Sequence, residues 1–316
     1  SDLQSEGVTE SMSSLRFCPR PTWWNASLGY SNTDISRPEQ VRCEVAGNQF
    51  DSYAAVTKDG KDVICARVTK VLEEGIGFGQ AFVDWAVGQT IGAVQEALKP
   101  WQEYSPRQLA EVLEAAKQAR FKTAQEAAEY GTRVHELIEM WITYGALTYE
   151  QDGAWWKVDL DEEADPVRNA MTAFLTWWAS EGLVPVATEQ WLVDIELGFG
   201  GTLDCVCRDK NGLLVMTDWK TSKAIRDKYL LQVAAYDILW ESAKHYSSNP
   251  IFQEPISRAY IVRVDKATAD TEVFPVFRDE QERQDVRNQW YATLQTFRWL
   301  KDAYKKITKH SKASKK

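Results

Sequence analysis

Two spacings of apolar residues run through this chain, one of about two residues and one between three and four, and they divide it into strands and helices. The clearest alternation lies between residues 186 and 197, where Trp191, Val193, Ile195 and Leu197 interleave with Gln190, Asp194 and Glu196 and predict a half-buried strand. Short apolar runs at 202–208, after Gly200-Gly201, and at 213–219 predict two more. Residues 48–68 read as a hairpin around Lys58-Asp59-Gly60-Lys61, and 258–265 with 271–277 as another, Pro275 marking an edge strand. The helical spacing is strongest at Val134, Leu137, Ile138, Trp141 and Ile142, which fall at offsets 0, 3, 4, 7 and 8 of one buried stripe. Further helices are predicted over 79–98, 166–180, 228–243 and 279–304, the last carrying Val286, Trp290, Leu294 and Phe297. Ser105-Pro106-Arg107-Gln108 has the form of a capping box with proline at the first helical position. Thr123-Ala124-Gln125-Glu126 repeats that signal and is expected to begin the helix, or pair of helices, that follows.

No internal repeat and no Pro- or Gly-rich linker interrupts this pattern, so a single elaborated domain is expected over residues 21–304. Residues 1–20, rich in Ser and Glu with little to bury, are expected to be disordered. Residues 305–316 form a basic tail: 301–316 hold seven lysines and one aspartate. With a chain charge of −9, that end carries about +6 and the remainder about −15. An acidic body does not favour a polyanionic partner, so any nucleic-acid contact has to rest on local basic groups. No apolar run approaches the roughly 18–20 residues of a membrane span, and the first twenty residues are too acidic for a transit peptide. Five scattered cysteines, an odd number, point to reduced thiols and a cytoplasmic compartment. Fourteen tryptophans include the adjacent pairs Trp23-Trp24, Trp155-Trp156 and Trp177-Trp178. Core packing is the default for such residues, and exposed ones can stack bases or sugars.

Chemistry concentrates between Gly198 and Tyr236. Lys210-Asn211-Gly212 suits a three-residue hairpin loop with glycine at the left-handed position. That loop pairs 209 with 213 and therefore sets Asp204 opposite Asp218, with Lys220 on the same face. A two-residue Asn-Gly turn would shift the register by one and send the two aspartates to opposite faces. Neighbouring carboxylates repel unless a cation sits between them, and magnesium prefers oxygen ligands of this kind. Lys220 beside them could offset charge developing on a phosphate. His135 lies at the edge of its helical stripe, where a side chain reaches a half-buried cleft, with Glu139 one turn on. Gln232 and Tyr236 form an i, i+4 pair flanking the stripe of their helix, and Lys223, Arg226 and Lys228 in and beside the preceding loop could meet phosphates. Glu189 opens the 186–197 strand and reads equally as a salt-bridge residue at a strand end.

The order Asp204, then Asp218-Trp219-Lys220, then Gln232-Val-Ala-Ala-Tyr236, preceded by Gly131-Thr132-Arg133-Val134-His135, resembles the RecB-like branch of the PD-(D/E)XK nuclease superfamily. That branch includes phage members and the mitochondrial genome maintenance exonucleases. Leu203 stands where the superfamily name has proline. The resemblance implies a restriction-endonuclease-like α/β core, a central mixed sheet flanked by helices, with a helical N-terminal elaboration. It implies a metal-dependent deoxyribonuclease acting from DNA ends. Mg2+ or Mn2+ would be held by Asp204, Asp218, the Trp219 carbonyl and His135, with Lys220, Gln232 and Tyr236 completing the catalytic group. Glu189 and Glu139 are secondary candidates. Some members hold an iron–sulfur cluster with three cysteines after the core, whereas this chain has none after Cys207, so neither a cluster nor a structural zinc is expected. Two other readings stand beside it: a catalytically inactive nucleic-acid-binding module of the same fold, and a carbohydrate binder using the tryptophans, which accounts for none of the motif residues.

Overall fold

A computed structural model describes residues 39–45, 48–56, 62–77, 80–151, 154–245, 247 and 249–313. The expected disorder of residues 1–20, the Trp23-Trp24 pair, Cys18 and the 58–61 turn lie outside them. The strands are β1 (Glu39–Val45), β2 (Asn48–Val56), β3 (Asp62–Arg67), β4 (Thr148–Gln151), β5 (Ala154–Lys157), β6 (Val184–Asp194), β7 (Phe199–Arg208), β8 (Leu214–Lys220), β9 (Ile256–Val264) and β10 (Thr271–Phe277). The helices are α1 (Val68–Ile76), α2 (Gln80–Ala97), α3 (Pro106–Tyr144), α4 (Asp165–Glu181), α5 (Asp227–Ala243) and α6 (Glu280–Ala313).

Eight strands make one mixed sheet in the order β1-β2-β3-β7-β8-β9-β10, with β6 also on β7, while β4 and β5 form a separate hairpin. The β3–β7 and β8–β9 pairings are parallel and the others antiparallel. Helices cover both faces. On one face α1, α5 and α6 bury Val71, Leu239 and Trp290 against Phe199, Leu203 and Ile261. On the other, α3 and α4 bury Leu137, Ile138 and Phe174 against Cys205, Cys207 and Val262. This is the restriction-endonuclease-like α/β arrangement expected from the sequence.

The strand β7 has three partners. Its pairing with β6 runs from Phe199 to Arg208 and occupies one edge. On the other edge β3 pairs only at Phe199 and Gly200, and β8 only from Cys205 to Arg208. Between those stretches, at residues 201–204, the sheet forks. The regular alternation of side chains breaks at the same place: Leu203 packs with the α5 face, yet Cys205, two residues on, packs with the α3 and α4 face. The interruption leaves Asp204 at the junction of the two halves.

Several local expectations differ from the structure. The helix α3 is continuous for 39 residues, capped at Ser105 by the expected box and ended by the left-handed Gly145. Thr123 starts nothing: its hydroxyl donates to Ala119 O one turn back, the alternative use of a threonine inside a helix. The 186–197 alternation ends at Asp194, because Ile195–Gly198 form the turn into β7. Ile64 in β3 and Ile91 in α2, apolar residues within the predicted 48–68 hairpin and 79–98 helix, are exposed. The helix expected to end near 304 runs on to Ala313.

Candidate active site

The hairpin β7–β8 builds the centre of the site. Gly212 takes φ +78°, its N–H donates to Asp209 O at 2.9 Å, and Asp209 N–H donates to Leu213 O at 3.0 Å. This is the three-residue loop, and it fixes Cys205 opposite Thr217. One step beyond that pair the backbone ladder stops. The Asp204 carboxylate takes over, Oδ2 accepting from Trp219 N–H at 2.7 Å. The Thr188 hydroxyl donates to Asp204 O at 3.0 Å and holds the strand from the β6 side. Trp219, fully buried against Phe174, Trp177 and Trp178, anchors the segment between Asp218 and Lys220.

Asp218 is 1% exposed, and neither carboxylate oxygen receives a hydrogen bond of regular geometry. Its charge faces the Lys220 ammonium, in direct contact with Oδ2. Burial pushes the Asp218 carboxyl up to about 6, Lys220 opposing and Asp204 adding to the shift. The same burial raises Asp204, against the pull of Lys220 and the Trp219 N–H. Burial would lower Lys220, but Asp218 and Asp204 outweigh it and hold the ammonium charged.

The helix α3 brings His135 in from the other face. Its approach depends on Gly131, where a Cβ would stand 3.1 Å from the Thr221 hydroxyl just past β8. His135 Nδ1 then lies 3.8 Å from Asp204 Oδ2. The ring keeps 31% of its side-chain surface accessible but is packed among protein atoms. That burial, with Lys220, pushes its pKa down to about 4, while Asp218 and a hydrogen bond to the Trp219 backbone act the other way. The imidazole is therefore neutral at pH 7, with a lone pair to offer.

Glu189 completes a donor set: one ligand atom each from His135, Glu189 and Asp204 lies within 4.8 Å of the others. Its place inside β6 rather than at its start corrects the reading of Glu189 as a strand-opening residue. Its φ of 44° is one of two positive values among described non-glycine residues. Such a conformation costs on the order of 1–3 kcal/mol and persists only where surroundings impose it. Glu189 faces the break in β7, so the strain and the irregularity belong to one feature. Two carboxylates with a neutral imidazole, beside the undersolvated Asp218, fit a hard divalent cation. Asp218 itself lies outside the three-residue set, held by Lys220, and Glu139 is half-buried one turn past His135, also outside it.

From the α5 side, Gln232 Nε2 donates to Tyr236 Oη at 2.8 Å, the i, i+4 contact expected. The Tyr236 phenol is pushed well up by burial and by Asp204 and Asp218. Its ring lies against Gly201, where a Cβ would come within 2.6 Å of Cε1, so only glycine lets this helix sit so close. Lys223, Arg226 and Lys228 are exposed along the loop and first turn leading to Gln232. Lys220 and Lys228 both stand over the Tyr229 ring, at 5.1 and 5.8 Å from its centroid.

Sequence reasoning missed Asp237. Fully buried next to Tyr236, it accepts two bonds from Arg283 at 2.8 Å and one from Arg287 at 2.5 Å, and Arg287 also reaches Glu241. The signal was present: two arginines four apart on the apolar side of α6, and one acid inside the apolar run of α5.

The PD-(D/E)XK nuclease superfamily model matches residues 104–311. The chain belongs to that superfamily, which implies a metal-dependent nuclease with a nucleic-acid substrate. No curated protein matches. Among solved structures, SSO0001 is similar at 12% identity over 70% of this chain and 86% of that one, with a TM-score of 0.28, too loose a superposition to add to the family assignment. No described helix is long and apolar enough to cross a membrane.

Proposed function

We propose that this protein is a DNA exonuclease of the RecB-like branch, hydrolysing phosphodiester bonds with Mg2+ or Mn2+. The observation that carries the reading is the donor set of His135, Glu189 and Asp204 within 4.8 Å, next to the Asp218–Lys220 pair. A bound divalent cation supplies Lewis acidity to a phosphoryl oxygen and acidifies water. The protein's own part is positioning. Asp204, Asp218, Glu189 and the neutral His135 offer donors, with the Trp219 carbonyl beside them. Lys220 keeps a buried positive charge where negative charge develops on the phosphate. Gln232 holds the Tyr236 phenol at the rim, and Lys223, Arg226 and Lys228 receive backbone phosphates of the strand.

The test is a time course on end-labelled single- and double-stranded DNA, with RNA and circular DNA in parallel, under Mg2+ or Mn2+. Short labelled products from linear DNA, and resistance of the circle, are expected. Binding without cleavage under every metal would make the chain an inactive nucleic-acid-binding module. Absence of binding would overturn both readings.

A further inference from the structure

The helix row that carries Gln232 and Tyr236 begins one turn earlier, at Tyr229. The three fall at offsets 0, 3 and 7, the spacing of one side of a helix. Tyr229 N–H donates to Arg226 O at 2.9 Å, which sets the residue in the first turn of α5. Its side chain is half-buried, packed at the margin of the core that α5 shares with α1 and α6. Lys220 Nζ stands 5.1 Å from the ring centroid and Lys228 Nζ 5.8 Å, both within the roughly 6 Å at which the negative face of an aromatic ring attracts an ammonium. The two contacts differ in strength. Lys228 is exposed, whereas the Lys220 side chain keeps only 13% of its surface in contact with water. A cation–π contact gains as water is withdrawn, so the ring holds Lys220 more firmly than Lys228.

The other groups that hold this ammonium are carboxylates: Asp218, in direct contact through Oδ2, and Asp204, acting through its charge. Both belong to the atoms that the nuclease reading gives to a cation. A carboxylate whose charge is shared with a metal has less of it for Lys220, and a lysine released from its partner swings on a flexible four-carbon stem. The Tyr229 ring face offers a metal no ligand atom. Its hold on Lys220 is therefore the same whether the carboxylates are free or engaged.

We infer that Tyr229 is a positioning residue for Lys220, its ring face fixing the ammonium where negative charge develops on the phosphate. This role rests on the nuclease reading for its reaction, whereas the contact stands on the geometry alone. The contact uses the ring face and not the phenol oxygen, so a phenylalanine in the same place can serve.

Two double-mutant cycles test it. The first reads denaturant unfolding of the full chain, with chelator, for Tyr229→Leu, Lys220→Ala and the two together. The combined loss should fall short of the sum of the single losses by about two- to fivefold in the unfolding constant. The second reads cleavage of an end-labelled DNA strand. Tyr229→Leu should lower kcat about tenfold with KM little changed, and Tyr229→Phe should recover most of that loss. In the Lys220→Ala background Tyr229→Leu should cost less than about twofold, because the group it positions is gone. Tyr229→pentafluorophenylalanine keeps the shape of the ring and reverses the charge of its face, so it should lose kcat as leucine does, and it carries the test if leucine unsettles the fold. Additive losses in the unfolding cycle would mean that the contact does not exist. Losses of kcat that add in the cleavage cycle, or a pentafluorophenylalanine variant as active as Tyr229→Phe, would make Tyr229 a packing residue only. A rise in KM alone would make the ring a platform for a base of the substrate and overturn the positioning role. If the parent cleaves nothing while the unfolding cycle still shows coupling, the nuclease reading fails and takes the role with it, and only the contact stands.

Discussion

At the scale of single residues, protons and metal compete for the same atoms. A cation at this site requires Asp218 ionised and His135 neutral. An imidazole at its ordinary pKa of about 6.5 would set the acid limb of activity. In the folded site His135 lies near 4 and Asp218 near 6, so the order of these two is reversed and the Asp218 carboxyl becomes competent later than the imidazole as pH rises. Half-saturating Mg2+ or Mn2+ should therefore rise by up to about tenfold per pH unit below about 6 and level off above it. His135→Ala should raise the metal requirement by a similar factor at every pH from 5 to 8 without moving that limb; a shift of the limb would mean that His135 titrates there after all. Stability follows the same signs. Asp218 is raised, so its contribution is present below its unfolded value of about 4 and is lost as pH rises through about 6. His135 is depressed, so its contribution is present above about 6.5 and is lost as pH falls towards 4. The two oppose each other, and metal-free stability should vary little between those limits on their account. Added Mn2+ should raise Tm at pH 7 in the parent and not in Asp204→Asn. Asp218→Asn and Lys220→Ala should each lower cleavage by about 10²–10³-fold or more with folding intact, given the cost of removing a charge aimed at a transition state. Activity within tenfold of the parent in either variant would remove this pair from the chemistry.

Elements explain which of these groups could be read in advance. The hairpin register, which pairs Cys205 with Thr217 and stops one step short of Asp204 and Asp218, was legible because a three-residue turn with glycine at the left-handed position has one geometry, and Gly212 adopts it. His135 was legible because the stripe from Val134 to Ile142 fixes the helix face, with Val134, Leu137 and Ile138 all buried. The break at Asp204 was not, since a period-two reading assumes an unbroken pleat, and Glu189 was accordingly set at a strand end. Thr123 misled because a capping box is a local signal, which a helix packed along α2 overrides. The Asp237 cluster needed a partner 46 residues away. It joins α5, which carries Gln232 and Tyr236, to α6. Asp237→Ala would leave Arg283 and Arg287 buried around an uncompensated space, and a loss of about 3–5 kcal/mol is expected, the usual cost of breaking a buried pair from one side. Denaturant unfolding of the purified variant measures it. A loss under about 1 kcal/mol would show that the arginines find other partners and that the cluster does not hold α5 in place.

For the whole molecule, the charge has to be reconciled with the substrate. A chain of −9 that binds a polyanion must do so through basic groups set apart from its acids. The loop of Lys223, Arg226 and Lys228 is one such place, and the end of α6 is another. The sequence marked residues 305–316 as a tail by its run of lysines. In the structure α6 carries this basic segment onward as helix to Ala313, with Trp299, Tyr304 and Ile307 exposed among the lysines. A helix holds its charges at fixed spacing, so the lysines act together on a nearby strand where a loose chain would spread them. Ending the chain at Tyr304 removes Lys305, Lys306, Lys309, Lys312, Lys315 and Lys316. The packing of α6 on the sheet, through Trp290, Leu294 and Phe297, lies upstream and should survive, with Tm changed little. If these lysines meet phosphates, the logarithm of the DNA affinity should depend less steeply on the logarithm of salt, by about 0.7–0.9 for each phosphate no longer neutralised, and kcat at saturating DNA should stay as in the full chain. Fluorescence anisotropy at several salt concentrations reads the slope directly. An unchanged slope would leave the basic end of α6 as a solubilising feature and place the whole electrostatic share of binding on the loop before Gln232.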